Sequence, residues 1–377
     1  MRTRFHRLLV VKIADLGDTI LVLPAVRALR RTYPQTRIDL LTSPIGAELA
    51  RLCPDIDRIL VLDKARLRNG GGVADLGRLC WHLARTRYDG VLLLHHLTTA
   101  AGRLLYRLLL AATRSPVRIG LDNGTGHFLT HPVPDRGFGA VPEFRYALQA
   151  AEACGATPVP EGPYLTLPAP ARERARSLLA ATRRPFVVLH PGVGPFAPAR
   201  LWPIRHFVEL ARDLRRSGFG VVVTGTSRER ELSRPLRDLP DVLDLVGRTD
   251  LATLAAVLHE AALVVGSDCG VIHLAAALGR PTLALFGPTN VDAWRPLSSV
   301  VMSPNDTFEP GTKIVALTLR LPCSPCCYVG YRLGRPHGCS VRTCLEDLAP
   351  ETVARLVQRL VVSEDASAGD APRASRG

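Results

Sequence analysis

VVGSDCGVIHLAAALG, residues 264–279, predicts a buried strand, a tight polar turn and a helix in immediate succession. A second apolar run, Thr282–Phe286, follows it and ends on Gly287-Pro288-Thr289. Small and polar residues at the carboxyl ends of parallel strands form a binding crevice in an open α/β sheet. A helix N-terminus directed into that crevice suits a phosphate group. The stretch therefore predicts an α/β protein that binds a nucleotide-linked ligand here.

The same alternation of apolar strands and amphipathic helices recurs along the 377 residues. It predicts two α/β domains with parallel sheets and a cleft between them, over residues 1–165 and 171–362. The proline-rich stretch 157–170 is predicted to link them. Residues 363–377 are small and polar, which predicts a disordered tail.

The chain is strongly basic, with 48 Lys and Arg against 34 Asp and Glu and a net charge of +14. Only three basic residues are lysine, so a GC-rich genome explains the bias as well as an anionic partner does. No nucleic-acid-binding motif accompanies the charge, and an anionic glycolipid acceptor at a membrane surface fits it better. We find neither a signal peptide nor a run long enough to span a bilayer, which favours a cytoplasmic protein.

The first strand, Leu8–Ile13, leads into Asp15-Leu16-Gly17-Asp18 without the glycine pattern of a dinucleotide-binding turn. Asp18 begins a predicted helix that continues to Tyr33. A helix cap is the commoner role for such an aspartate. The alternative is a general base that takes a proton from an attacking hydroxyl. Asp15 is the rival carboxylate and is more easily explained as structural.

Further candidates lie in the second half. His190-Pro191-Gly192 follows a strand, so the backbone N–H groups near Gly192 could approach an anion. Arg200, ahead of Trp202, could neutralise charge on a diphosphate leaving group, or be a surface arginine. Glu229 could accept hydrogen bonds from a ribose or simply lie at a helix N-terminus. Asp268 and His273 are read either as ligand-binding or as a helix cap and a core histidine.

Five of the nine cysteines fall within residues 323–344. Their spacings predict either a structural metal site, most simply zinc, or reduced thiols in a compact loop. The four candidate ligands are Cys323, Cys326, Cys339 and Cys344.

In these motifs the chain resembles glycosyltransferase family 9, the heptosyltransferases that build the lipopolysaccharide inner core. The matching segments are Val11-Lys12, Gly17-Asp18, Arg200-Leu201-Trp202-Pro203, Asp268–His273, Phe286–Thr289 and the cysteine-rich stretch that begins at Pro322. The resemblance implies a GT-B fold, with the acceptor in the N-terminal domain and the nucleotide-sugar in the C-terminal one. It also implies inverting transfer from ADP-heptose to a lipopolysaccharide-type or other cell-surface glycan, with no catalytic metal or cofactor and with peripheral contact at the inner membrane.

By this resemblance Asp18 is the base and Lys12 a supporting charge. Arg200 stands where the family usually has lysine. The implied donor-binding residues are Gly192, Arg200, Glu229, Asp268, Cys269, Gly270, Val271, His273 and Thr289. Cys269 replaces the usual Thr or Ser, and Leu201 a polar or basic residue. Because of these departures, another nucleotide-sugar donor, a nucleotide-sugar epimerase and a non-catalytic binding module stay as alternatives.

Overall fold

The computed structural model describes residues 5–158, 164–307 and 309–369, with side chains as far as Val361 in the last helix. The strands are β1 (Arg7–Lys12), β2 (Arg37–Thr42), β3 (Arg58–Val61), β4 (Gly90–Leu93), β5 (Val117–Asp122), β6 (His131–Pro134), β7 (Phe186–His190), β8 (Gly220–Val223), β9 (Val242–Asp244), β10 (Leu263–Ser267), β11 (Thr282–Phe286), β12 (Val300–Met302), β13 (Ile314–Thr318), β14 (Cys327–Val329) and β15 (Arg332–Gly334).

The α-helices are α1 (Leu16–Ile20), α2 (Leu23–Thr32), α3 (Pro44–Ala50), α4 (Lys64–Arg68), α5 (Val73–Thr86), α6 (Ala100–Thr113), α7 (Glu143–Ala153), α8 (Ala169–Leu178), α9 (Ile204–Arg216), α10 (Arg230–Arg237), α11 (Leu251–Glu260), α12 (Gly270–Ala277), α13 (Val291–Trp294), α14 (Thr343–Glu346) and α15 (Pro350–Gly369). Two short 3-10 helices, Pro198–Arg200 and Ser227–Glu229, precede α9 and α10.

The chain divides into two structural units. Unit 1 comprises Met1–Thr166 together with Asp292–Trp294 and Tyr328–Leu333, and unit 2 comprises the remainder. The two short later segments of unit 1 are not part of the sequence-based division into residues 1–165 and 171–362, because nothing local marks them as belonging to another unit.

Unit 1 is built on a six-stranded sheet in the order β3-β2-β1-β4-β5-β6, with every neighbouring pair parallel. The strand runs are apolar because helices cover both faces of such a sheet. One face packs against α2 and α7 through residues such as Val26 and Ala150, and the other against α5 and α6 through residues such as Leu83 and Leu109.

Unit 2 is built on a seven-stranded parallel sheet in the order β12-β13-β11-β10-β7-β8-β9. Its largest fully buried side chain is Trp202, whose ring contacts Phe207 edge-on and whose Nε1–H donates to the Leu348 carbonyl at 2.9 Å. A fully parallel sheet in each unit confirms the predicted α/β class.

Two local expectations differ from the structure. The helix predicted from Asp18 to Tyr33 is two helices, because Leu21 and Val22 end α1 and α2 restarts with Pro24 in its first turn, where a missing N–H costs nothing. The last strand of the unit 1 sheet, β6, lies at its edge, a position that tolerates its two prolines.

The disordered tail predicted over residues 363–377 is wrong over residues 363–369, where α15 continues. Buried Val357 and Leu360 anchor that helix, and adding residues to an existing helix is easier than starting one. Residues 370–377 lie outside the described residues, as does part of the predicted linker, 159–163. Within the described residues, we find no helix that is both long enough and apolar enough to cross a bilayer.

Candidate active site

The strand orders locate one candidate region in each unit. Ligands of open α/β sheets bind outside the carboxyl ends of the strands where the strand order reverses. In unit 1 the order reverses between β1 and β4, and β1 leads directly to Asp18. In unit 2 it reverses between β7 and β10, which lead to Gly192 and Asp268. The sequence predicts the crevice between β10 and β11; these strands are neighbours, but the reversal lies on the other side of β10.

Asp18 lies in the first turn of α1 and forms an ion pair with Lys12. Lys12 Nζ is 3.5 Å from Asp18 Oδ1, with the lysine side chain buried and the aspartate side chain 29% exposed. The N-cap position of α1 belongs to Asp15, so the cap role predicted for Asp18 is wrong and Asp15 takes the structural position. Asp18 is therefore a partly exposed carboxylate that lies beside a buried cation.

Two further side chains, those of His95 and Lys64, lie within electrostatic range of this ion pair. His95 follows β4, and its Nε2 accepts a hydrogen bond from the Ile13 N–H at 2.7 Å. Burial lowers the pKa of His95 well below its usual value, and the charges of Lys12 and Lys64 lower it further, so the ring is neutral. Burial also lowers the pKa of Lys64, while the charge of Asp18 partly restores it.

Sequence reasoning assigned no role to His95 or Lys64. Each comes from a strand end distant in sequence from Asp18, so only the strand order brings it near. The composition contains one signal for Lys64. The chain has only three lysines, and two of them, Lys12 and Lys64, lie near the Asp18 carboxylate.

In unit 2, Asp268 follows β10. Its side chain is almost fully buried and lies between those of Arg200 and His273. Its Oδ2 lies 3.5 Å from Arg200 Nη1, and its Oδ1 lies 4.0 Å from His273 Nε2. Arg200, Asp268 and His273, which the sequence analysis predicts to bind the donor, therefore lie close together. Asp268 is not a helix cap, because the N-cap position of α12 belongs to Cys269.

The N-terminus of α12 begins at Gly270, next to this cluster. The Cys269 side chain is buried, which raises the pKa of its thiol to about 12 and keeps it protonated; the N–H groups of Val271 and Ile272 that face the sulfur lower the pKa only in part. A thiol is a weak acceptor compared with the Ser or Thr preferred at this position. The first N–H groups of α12 are therefore only weakly satisfied by their cap.

Gly192 and Glu229 pack directly against one another at the end of β7. A Cβ on Gly192 would lie 1.8 Å from Glu229 Oε1, so a side chain there would require the Glu229 carboxylate to move. The other carboxylate oxygen of Glu229 accepts from the N–H of Thr226 at 2.6 Å and from its hydroxyl at 3.0 Å, in a capping box. The helix-terminal alternative for Glu229 is thus realised, with Oε1 directed at the glycine.

The turn after β11 is held by the cysteine-rich segment. The Pro288 carbonyl accepts hydrogen bonds from the N–H groups of both Cys326 and Cys327 at 2.8 Å, and the Ser324 hydroxyl donates to the Gly287 carbonyl at 2.6 Å. Thr289 is buried, and its hydroxyl has no hydrogen-bond partner among the described residues. A buried, unsatisfied hydroxyl is available to a ligand.

The structure does not show the predicted metal site. In the described parts of the chain, no three His, Cys, Asp or Glu side chains are grouped so that they could hold a metal ion, and Cys323, Cys326, Cys339 and Cys344 are free thiols. Cys326 Sγ donates to the Cys323 carbonyl, and Cys339 Sγ accepts the Arg342 N–H at 3.3 Å. The cysteine-rich segment supports the Gly287–Thr289 turn through its backbone.

Two fully parallel sheets, each with charged side chains where its strand order reverses, define an α/β protein with one candidate site in each unit. The family model for glycosyltransferase family 9 (heptosyltransferase) matches residues 76–315. The chain therefore belongs to glycosyltransferase family 9 and is a glycosyltransferase with the GT-B fold. Asp18 lies before the matched residues.

Individual proteins agree with the family match. The chain is 27% identical to lipopolysaccharide heptosyltransferase 2 of Salmonella typhimurium over 78% of its length and 86% of that protein's length. It is 29% identical to lipopolysaccharide heptosyltransferase 1 of Pseudomonas aeruginosa over 85% of its length and 86% of the relative's. The solved structure of the E. coli ADP-heptose lipopolysaccharide heptosyltransferase II aligns with a TM-score of 0.71 at 22% identity, covering 95% of this chain and 99% of that one.

Proposed function

We propose that this protein transfers heptose from ADP-heptose, with inversion at the sugar carbon, to a hydroxyl of a lipopolysaccharide-type or other cell-surface glycan acceptor. The relatives are named as lipopolysaccharide heptosyltransferases, which supports heptose as the transferred sugar and lipopolysaccharide as the class of acceptor. The E. coli structural neighbour is named for ADP-heptose, which supports that donor. The acceptor is an anionic glycolipid, and the enzyme works at the cytoplasmic face of the inner membrane.

The observation that carries the proposal is the half-exposed Asp18 carboxylate beside buried Lys12. In the proposed reaction, a carboxylate oxygen of Asp18 takes the proton of the acceptor hydroxyl. The acceptor oxygen forms a bond to the anomeric carbon while the bond from that carbon to the diphosphate oxygen breaks. ADP departs with the electron pair. One displacement of this kind inverts the configuration, and Lys12 is the supporting charge beside Asp18.

Unit 2 is proposed to bind the donor. Asp268 accepts hydrogen bonds from the sugar hydroxyls, and the N–H groups at Gly270 and Val271 face the diphosphate, where the helix dipole favours negative charge. Arg200 neutralises charge that grows on the departing diphosphate. His273 lies beside the diphosphate and Glu229 beside the nucleoside, with Gly192, Cys269 and Thr289 completing the donor-binding set.

No metal or cofactor takes part in the proposed reaction, because Arg200 and the α12 N–H groups carry the leaving-group charge. A structural zinc in the cysteine-rich segment would require the thiols to regroup. The alternatives are transfer from a different nucleotide-sugar, epimerisation of a nucleotide-sugar and binding without catalysis. An epimerase needs an acid and a base on opposite faces of one sugar, and no pair of carboxylates in unit 2 matches that need among the residues discussed above.

Asp18→Asn tests the base. We expect kcat to fall about 10²- to 10⁴-fold, the usual contribution of a general base, with the dissociation constant for ADP-heptose unchanged. Asp75→Asn is the matched control, because Asp75 is also a partly exposed aspartate in the first turn of a unit 1 helix and pairs with Arg78. Transfer by Asp18→Asn at the rate of the Asp75 control would remove Asp18 from the mechanism. Loss of donor binding in Asp18→Asn would reassign it to the donor site.

A further inference from the structure

The outward side of α6 is apolar where a surface helix is normally polar. Its inward side chains, including Tyr106 and Leu109, are buried in the core of unit 1. The outward positions 101, 104, 108 and 111 are all exposed and are Ala, Leu, Leu and Ala. Leu104 is 69% exposed and Leu108 46%. A helix with apolar residues on both sides normally has a second partner, so α6 has an uncovered face among the described residues.

The neighbouring helix α5 extends this apolar surface. Both helices cover the same face of the six-stranded sheet, and α5 contributes Leu79 and Leu83 to the same core as α6. Their outward sides therefore point the same way. Trp81 is on the outward side of α5 with its side chain 64% exposed, and the Arg85 guanidinium lies 4.9 Å from the centre of its ring. We refer to Trp81, Leu104 and Leu108, with Arg78, Arg85 and Arg107 among them, as the α5–α6 face.

The charge around this face has one sign. Between Lys64 and Gly120 the sequence has ten Lys or Arg and only two acidic residues, Asp75 and Asp89. That excess of eight positive charges in 57 residues is more than half of the net charge of +14 carried by the whole chain. Arg78, Arg85 and Arg107 are exposed, and α6 contains no acidic residue. Exposed tryptophan and leucine interleaved with arginine are the composition of helices that lie in a lipid headgroup region.

We propose that the α5–α6 face docks the protein on an anionic phospholipid bilayer. The arginines bind lipid phosphates, and Trp81, Leu104 and Leu108 enter the boundary between headgroups and acyl chains. A second copy of the chain is a poorer occupant, because a symmetric contact sets the same arginines against one another. The 14 residues of α6 are too few to span a bilayer, so the helix lies along the surface. This inference is independent of the donor and of the acceptor.

Sedimentation with vesicles that lack any glycolipid tests the proposal. We expect the protein to bind phosphatidylcholine vesicles that contain about 30% phosphatidylglycerol, and to bind pure phosphatidylcholine much more weakly. Leu104→Gln with Leu108→Gln is expected to lower the partition coefficient at least about tenfold. Val300→Gln with Val341→Gln is the matched control, since both valines are exposed apolar residues of unit 2. Arg78→Gln with Arg85→Gln and Arg107→Gln is expected to weaken binding to the anionic vesicles and its dependence on salt.

Tryptophan fluorescence gives a second readout. Of the three tryptophans, Trp202 is fully buried, Trp294 is partly buried and Trp81 is exposed. A blue shift on vesicle addition, with quenching by brominated lipid, is therefore expected from Trp81, and it is expected to disappear in Trp81→Phe but to remain in Trp294→Phe. Three results would overturn the proposal: no binding to anionic vesicles, equal binding by the Leu104 and Leu108 variant and the control, or a fluorescence change that persists in Trp81→Phe. A dimer in vesicle-free solution that the leucine variant disrupts would assign the face to a second copy instead.

Discussion

Asp268 is a buried carboxylate with a different neighbour at each oxygen, and this asymmetry determines what each neighbour can do. Arg200 at Oδ2 is permanently charged, whereas His273 at Oδ1 is 4.0 Å away, beyond a direct hydrogen bond. Oδ1 therefore keeps acceptor capacity for a sugar hydroxyl. Arg200 also balances the aspartate charge, so a variant that lacks the cation is expected to affect both the resting site and, in the proposed reaction, the departing diphosphate.

Two replacements of Arg200, one that removes its positive charge and one that keeps it, test whether the charge or the shape of the side chain matters for turnover. Arg200→Gln is expected to lower kcat about 10²-fold, because a donor that stabilises developing negative charge acts mainly in the transition state. Arg200→Lys keeps the positive charge at this position and is expected to retain most of the turnover. Arg205→Gln, an exposed arginine that pairs with Glu346 outside the cluster, is the control. Steady-state kinetics with ADP-heptose measure all three, and a glutamine variant as fast as the lysine variant would refute the role of the charge.

At the scale of elements, His96 joins three parts of unit 1. It follows β4, its Nδ1 lies 2.9 Å from Asp135 after β6, and its Nε2 lies 2.9 Å from Glu143 at the start of α7. All three side chains are buried. Burial by itself would lower the pKa of His96, but the hydrogen bonds to Asp135 and Glu143 outweigh burial and raise it to about 9. The imidazolium therefore bridges two carboxylates inside the fold.

This bridge predicts a pH dependence of stability. The folded-state pKa of about 9 lies above the unfolded value of about 6.5, so the stabilising contribution of His96 is complete below about pH 6.5 and is lost as the pH rises through 9. His96→Gln is expected to lower the free energy of unfolding by about 3 kcal/mol near pH 7, because two buried carboxylates lose their cation. The difference from wild type is expected to shrink at pH 9.5.

Denaturant unfolding at several pH values measures this dependence. His82→Gln is the control, because burial lowers the pKa of His82 and no carboxylate bridge depends on it. A difference between wild type and His96→Gln that stays constant from pH 6.5 to pH 9.5 would show that the ring is neutral in the folded protein.

The elements also show what local sequence can predict. Apolar periodicity identifies β1, β10 and α12 because each is apolar in the pattern that its buried environment requires. The same periodicity does not predict the two-residue break between α1 and α2, because Leu21 and Val22 are themselves apolar and buried. Asp18 and Asp268 are predictable as residues at strand ends. Lys64, His95 and His96 acquire their roles only from strand order, which depends on contacts between distant segments.

At the scale of the whole molecule, the proposed roles are divided between two units with separate hydrophobic cores. Unit 1 contains Asp18 and Lys12, whereas Arg200, Asp268 and His273 belong to unit 2. Each unit presents its residues where its own strand order reverses, so each local geometry forms with its own sheet. Donor binding is therefore expected to stabilise unit 2 directly and to be independent of the carboxylate in unit 1.

A panel of nucleotide-sugars tests this division and the identity of the donor together. ADP-heptose at about 100 times its dissociation constant is expected to raise the free energy of unfolding of the unit that binds it by about 2.7 kcal/mol. Hydrogen exchange followed by mass spectrometry should show that the donor slows exchange in β7, β10 and the start of α12. The same slowing is expected in wild type and in Asp18→Asn. Asp268→Asn is expected to weaken the protection. Stronger protection by another nucleotide-sugar would change the proposed donor, and protection confined to unit 1 would contradict the assignment of donor binding to unit 2.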